Sequence, residues 1–304
     1  MRSALWYDLA FSGLLALGLA ACNGDSTGSN GGGLSAAQAN EIGSANEDEL
    51  ESSIGSITLD GAFGTVGLSA PAPASGVSAS IAALPAGCPA VDNLTDTDGD
   101  GIPDDATFTF TNPPCGFTGW RGGSVGLTGQ VEVVDPSPNA FDFTATLTDL
   151  AFSYTAPGNL GTYTASRNGT RSRTGSAGGA SVSEDIITVR QRPNFADATL
   201  HKVGTVTFTP DQGFTLALRQ PLPSGNFSLN GTLTWNRGQE DFTFVFTTPT
   251  ALHYNSTCTN TPQRIDSGEL DVAGTVNGIP GTLKVVWSAC GQEPTRTWTV
   301  GPVA

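Results

Sequence analysis

From Thr107 onward, apolar residues recur at every second position with Thr and Ser between them, the period of a strand with one buried face. Phe108 and Phe110 open the pattern, Phe141, Phe143 and Leu147 continue it, and Leu150, Phe152 and Tyr154 resume it one position out of step. A one-residue slip would send the apolar set to the wrong face unless an extra residue absorbs it, which predicts a bulge near Asp149. Further alternating runs cover Ile187–Val189, Val206–Phe208, Phe214–Leu216, Leu233–Trp235, Phe242–Phe246 and Leu283–Val285. Asn168-Gly169, Asn230-Gly231 and Asn277-Gly278 lie between such runs. Both residue types tolerate positive φ, so each pair reads as a type I′ hairpin turn. The expectation is an all-β fold, an antiparallel meander forming a sandwich or curled sheet. The face opposite the core is mostly Thr, Ser and Asp, which argues against a transmembrane barrel with its apolar outer band and aromatic girdles.

The pattern differs upstream. Residues 1–21 combine Arg2, an almost wholly apolar run from Leu9 to Leu19 and small residues before Cys22, the layout of a signal peptide. That run is about eleven residues long, against the roughly 20 that a spanning helix needs. Residues 22–33 are Gly, Ser and Asn rich, a flexible tether. Ser35-Ala36-Ala37-Gln38 has capping-box spacing with Leu34 placed as a staple, predicting a helix over 34–56. Its apolar positions, Leu34, Ile42, Leu50 and Ile54, are sparse, so it is expected to dock on the domain surface. Residues 57–304 then form the β-rich domain, opening with a Pro/Ala/Ser/Gly stretch from Ser69 to Ala86. A faint echo, Phe108-Thr-Phe-Thr-Asn-Pro with Cys115 against Phe244-Val-Phe-Thr-Thr-Pro with Cys258, suggests two related halves.

Composition narrows the partners. A formal charge of −15 and a pI near 4.2 repel phosphate backbones, so nucleic acid is excluded as a partner class and cations are favoured. Setting Cys22 aside leaves Cys88, Cys115, Cys258 and Cys290. Four cysteines allow three pairings; chain order and the internal echo favour Cys88 with Cys115 and Cys258 with Cys290. Each bridge would close a loop of about thirty residues, worth ~3–4 kcal/mol by chain entropy. No CxxC pair is present to suggest a thiolate metal site.

Leu19-Ala20-Ala21-Cys22 resembles the type II signal peptide of bacterial lipoproteins, position by position. The resemblance implies cleavage before Cys22, a diacylglycerol on its thiol, usually an acyl chain on its new amine, and attachment to the membrane through lipid rather than protein. Two or three acyl chains suffice for a lasting anchor, at about 0.8 kcal/mol per buried methylene. In enterobacterial lipoproteins an Asp after the cysteine favours inner-membrane retention. Here Asn23 follows, so the outer membrane is the expected address.

Asp96-Thr97-Asp98-Gly99-Asp100-Gly101-Ile102-Pro103-Asp104-Asp105 places carboxylates at positions 1, 3, 5 and 9 of a calcium loop, with Gly101 at position 6 and the Ile102 carbonyl at 7. The run resembles the EF-hand-like loops of dockerins and thrombospondin type 3 repeats. That resemblance implies Ca²⁺ on Asp96, Asp98, Asp100, Ile102 and Asp104. Thr107 stands where the bidentate acid belongs, so a weakly held structural ion is expected, completed by Asp105, Asp92 or water.

Other motifs point weakly to chemistry. Gly122-Gly123-Ser124-Val125-Gly126 matches G-x-S-x-G, but strand sequence follows Ser124 where a nucleophile elbow needs a helix. The only histidines, His201 and His253, fall in strand sequence. Glu240-Asp241 and Glu269 with Asp271 are carboxylate pairs of the kind glycosidases use, and equally ordinary solvated positions. Arg167, Arg171 and Arg173 flank Asn168-Gly169 and read as a charged hairpin edge that discourages strand addition. No catalytic residues are assigned. The expected function is a lipid-anchored, non-enzymatic envelope protein with a structural or ligand-binding role. The alternatives are a carbohydrate- or protein-binding module using exposed Trp120, Trp235, Trp287 or Trp298, and an envelope hydrolase in which Ser124 approaches His253.

Overall fold

The computed structural model describes residues 42, 50, 57, 88–99, 102–111, 115–118, 124–136, 142–155, 162–191, 196–216, 222–238, 240–258, 264–276 and 278–301. Thirteen strands follow one another: β1 (Ala90–Asp92), β2 (Asp105–Phe110), β3 (Gly116–Thr118), β4 (Ser124–Val134), β5 (Phe143–Thr155), β6 (Thr162–Ser176), β7 (Gly179–Gln191), β8 (Ala198–Pro210), β9 (Gly225–Arg237), β10 (Glu240–Tyr254), β11 (Ile265–Val276), β12 (Ile279–Trp287) and β13 (Thr295–Val300). Among the described residues they form one antiparallel sheet in chain order, with β3 set beside β4 and no closure into a barrel. The expected all-β antiparallel meander is therefore present, as one continuous sheet.

Strands β5 to β10 run 13–15 residues, well beyond the usual five or six. Strands that long in so wide a sheet must bend, and bulges and glycines supply the bends. The predicted bulge is present: Asp149 has φ 47° and the β5 register shifts between Leu147 and Leu150. Asp149 N–H donates to Asn168 Oδ1 at 2.8 Å, while Asn168 Nδ2 donates back to Asp149 Oδ1 at 3.1 Å.

Asn168-Gly169 and Asn230-Gly231 are not turns. Both lie within long strands, β6 and β9, in unbroken register with β7 and β8. Gly169 has φ 137°, and a Cβ there would sit 2.0 Å from the Asp185 carbonyl oxygen. Gly231 faces Gly204 across β8–β9, and the Phe246 ring lies 2.7 Å from where either Cβ would be. The glycines thus let neighbouring backbone and an aromatic ring approach the sheet. At the third pair Val276 pairs with Ile279 and Gly278 has φ 79°, while Asn277 lies outside the described residues.

One face of the sheet is buried in two clusters. The first gathers Phe108, Phe110, Val131, Val133, Phe143, Leu147, Leu150 and Phe152 at the β1–β5 end. The second gathers Val206, Phe208, Phe227, Leu233, Trp235, Phe244, Leu270, Leu283 and Trp287 from β7 to β12. Ile42, Leu50 and Ile57 belong to the second, at 2, 1 and 0 % exposure. Ile42 and Leu50 are helical, so these two positions of the expected surface helix are core residues; the remainder of 34–56 lies outside the described residues.

Candidate functional site: a buried charged row

Between the two apolar clusters, the inner face of β6–β8 carries charge. Strand period 2 puts Arg167, Gly169, Arg171 and Arg173 of β6 on one face with Val182, Glu184, Ile186, Thr188 and Arg190 of β7. That face is the inner one. Arg167, Arg171, Arg173, Arg190 and Lys202 are all at most 5 % exposed, with Glu184 at 4 % and Thr188 at 1 %. The three arginines expected at an exposed hairpin edge are therefore among the most buried side chains of the protein. The misreading follows from Asn168-Gly169: once that pair lies mid-strand, the arginines two residues apart must share its buried side.

Register explains the contacts. Arg171 lies directly opposite Glu184, and its Nε donates to Glu184 Oε2 at 3.4 Å. Lys202 sits diagonally across β7–β8, with Nζ 2.5 Å from Glu184 Oε1. One carboxylate thus bridges two cations on flanking strands. Lys202 also lies 5.4 Å from the Phe246 ring centroid, the same ring that covers Gly204 and Gly231. Arg173 stacks over Phe143 at 5.7 Å, so the row joins both apolar clusters through cation–π contacts. Burial pulls the Arg173 guanidinium down to about 10, against the pull of Asp142, and it remains a cation at neutral pH. Each of these charged side chains has further partners.

Five buried cations against one buried carboxylate, among the described residues, hold a net +4 inside, so the rest of the chain carries −19 rather than −15. Chemically the row offers guanidinium and ammonium donors suited to carboxylate or phosphate oxygens. Its sequence signal was the spacing Arg167-x-x-x-Arg171-x-Arg173, in even steps and interleaved with Asn168, Thr170 and Ser172, which is strand alternation in polar residues.

The other expected sites are placed as follows. Cysteines pair as Cys88–Cys115 and Cys258–Cys290, with Cα–Cα separations of 5.1 and 5.8 Å. The first bridge sits where β2 gives way to β3, both of which pair with β4, and Cys115 O accepts from Leu127 N–H at 2.9 Å. Cys22 lies outside the described residues, as do Asp100 and Gly101 of the acidic loop. In the described part of that loop Asp96 and Asp104 each accept from backbone N–H groups of the loop. Asp104 accepts from Thr97 N–H at 2.9 Å and from the Thr97 hydroxyl, contacts that lower its pKa. Asp96 Oδ1 accepts from Gly99 N–H at 2.8 Å, with Gly99 at φ 78°. Ile102 is fully buried. No group of three or more potential ligands gathers among the described residues.

Ser124 opens strand β4 and no helix follows it. His253 has both ring nitrogens within hydrogen-bond distance of carboxylates, Asp266 and Asp211. Glu269 is bound by Lys284 Nζ at 2.5 Å on the outer face. Its neighbour Asp271 has a pKa raised by burial despite the Lys284 charge, with the Glu269 charge and hydrogen bond adding to the rise. Trp235 and Trp287 are 1 and 3 % exposed and Trp298 packs on the core, so these three do not form the exposed aromatic surface considered for ligand binding. Trp120 and the side chain of Glu240 lie outside the described residues, and Asp241 is on β10.

The fold and this row define a class, a single-sheet all-β protein with a charged band in its buried face. No family model, curated protein or solved structure matches the chain.

Proposed function

We propose that the chain is a lipid-anchored protein of the bacterial envelope, at the outer membrane, whose sheet serves a non-enzymatic structural or ligand-binding role. The observation that carries this reading is the pair of disulfides. Such bridges form and persist in oxidising, extracytoplasmic compartments, which is where a chain processed at Leu19-Ala20-Ala21-Cys22 would fold. The acidic balance outside the charged row supports the exclusion of nucleic acid. The non-enzymatic part is supported by His253, whose nitrogens both face carboxylates rather than a serine hydroxyl.

The test is expression with the native leader in a bacterial host, followed by membrane fractionation and mass spectrometry of the Cys22 peptide. Wild type is expected in the membrane fraction with a diacylglycerol on Cys22, and Cys22→Ser in the soluble fraction. Bare Cys22 thiol in the mature protein overturns the reading.

Calcium on Asp96, Asp98, Asp100, Asp104 and the Ile102 carbonyl belongs to the same proposal and rests on the spacing of that run. Calorimetric titration of the full chain should show binding at about 10⁻⁴–10⁻³ M, the range of extracellular modules. Absence of heat and of any melting shift at millimolar Ca²⁺ removes the ion from the proposal.

A further inference from the structure

His253 lies on β10 between Asn226 of β9 and Ser267 of β11. Its Nδ1 is 2.7 Å from Asp266 Oδ1, and its Nε2 is 3.0 Å from Asp211 Oδ2. A neutral imidazole has one N–H donor and one acceptor, whereas an ionised carboxylate only accepts. Both contacts are hydrogen bonds only when the ring carries both protons. The carboxylates are oriented in turn by groups that donate to them. Asp266 accepts from Asn255 Nδ2 at 2.9 Å and from Ser267 Oγ at 3.4 Å, and Asp211 accepts from Asn226 Nδ2 at 3.3 Å.

We propose that His253 is a proton-operated clasp, fastening the start of the β8–β9 connection at Asp211 to β11 at Asp266 and releasing Asp211 when the imidazolium loses a proton. Asp211 is the side that lets go, keeping the longer 3.3 Å bond from Asn226 and its backbone bonds to Ser224 and Phe214. Asp266 stays held by Asn255 and Ser267, and Asn255 N–H is itself bonded to Arg264 O at 2.8 Å beside the Cys258–Cys290 bridge. The proton retained is then the one on Nδ1, donated to Asp266 at the shorter distance. The lone pair left on Nε2 faces the Asp211 carboxylate, and a bond becomes a repulsion.

Among the described residues, the charged groups facing the ring are Asp211 from the connection and Asp266 from β11; β9 presents the neutral Asn226. Arg264 points elsewhere, to the Tyr254 hydroxyl and the Ser256 carbonyl. Partial burial alone would lower the His253 pKa, but the hydrogen bonds to Asp211 and Asp266, with their charges, raise it above 6.5. Partial burial of Asp266 is likewise outweighed, by its bonds to His253 and Asn255, and its pKa falls below 3.8. A raised histidine contributes stability that is complete below its unfolded value of 6.5 and is lost as pH rises through the folded value. The lowered Asp266 contributes above 3.8 and is lost as pH falls through its folded value. The clasp is thus closed between the folded value of Asp266, below 3.8, and that of His253, above 6.5, and opens as pH rises through the latter.

The chain has only two histidines, so ¹H–¹³C spectra of the imidazole rings in the full chain in detergent give two titration curves, and His201→Gln identifies which belongs to His253. The expected result is a His253 midpoint above 6.5 that moves down in Asp211→Asn. Amide exchange over Asp211–Phe214, corrected for intrinsic base catalysis, should rise about tenfold from pH 6 to pH 9 in wild type, which corresponds to ~1.4 kcal/mol of lost local stability. It should be equally fast at both pH values in Asp211→Asn. A midpoint at or below 6.5, a midpoint unmoved by Asp211→Asn, or exchange independent of pH in wild type overturns the proposal. Should Asp211→Asn not fold, the wild-type midpoint and exchange decide alone. None of these readouts depends on lipidation.

Discussion

The two ends of the inner face and its middle solve the same problem by opposite means. At the ends, rows such as Phe108, Val131 and Leu147, or Leu233, Phe244 and Leu283, bury hydrocarbon and are indifferent to exact partners. In the middle, Arg171, Glu184 and Lys202 take charges out of water, which is tolerable only while each finds its counter-charge. The ends supply stability; the middle ties the register to particular pairs, because sliding β7 by two residues along β6 would set Glu184 opposite Arg173 or Gly169 instead of Arg171. The difference teaches that a uniformly buried face need not be uniformly apolar, and that charge can mark position in a sheet of similar Thr-rich strands.

Four variants test that contrast. Glu184→Gln removes the bridging carboxylate and leaves buried cations; it should cost about 3–5 kcal/mol in urea unfolding. Replacing Arg171, Glu184 and Lys202 together by Met, Leu and Met should cost far less than Glu184→Gln, or even stabilise, if the trio serves register rather than stability. A triple variant as damaged as the single one would break the comparison. Leu233→Ala, in the apolar part, should cost about 2–5 kcal/mol through the cavity it opens, with no change in ion-pair behaviour. Smallest is Lys284→Ala on the outer face. Its partner Glu269 is bonded at 2.5 Å, but solvent screens the pair, and no loss of melting temperature beyond scatter is expected.

The alternation that builds both ends was legible in the sequence because Phe, Leu and Val at period 2 have one reading. The Asp149 bulge was legible too, as a register slip between Leu147 and Leu150. So was the cysteine pairing, since a meander keeps chain neighbours close. The middle was not. Asn-Gly serves a tight turn and a bent strand equally, and only the approach of the Asp185 carbonyl to Gly169 and of the Phe246 ring to Gly231 distinguishes them. Read as turns, these pairs put the arginines outside. The His253 clasp was hidden for another reason: Asp211 and Asp266 are 42 and 13 residues from the histidine, and only the pairing of β9, β10 and β11 unites them.

Because nearly every strand bonds to the one made just before it, the sheet can be zipped in the order of synthesis, with little loop entropy spent on distant encounters. The exceptions are Ile42, Leu50 and Ile57, whose places in the core are completed only by strands emerging more than a hundred residues later. The front of the molecule must therefore wait for strands made much later before its own apolar residues are covered.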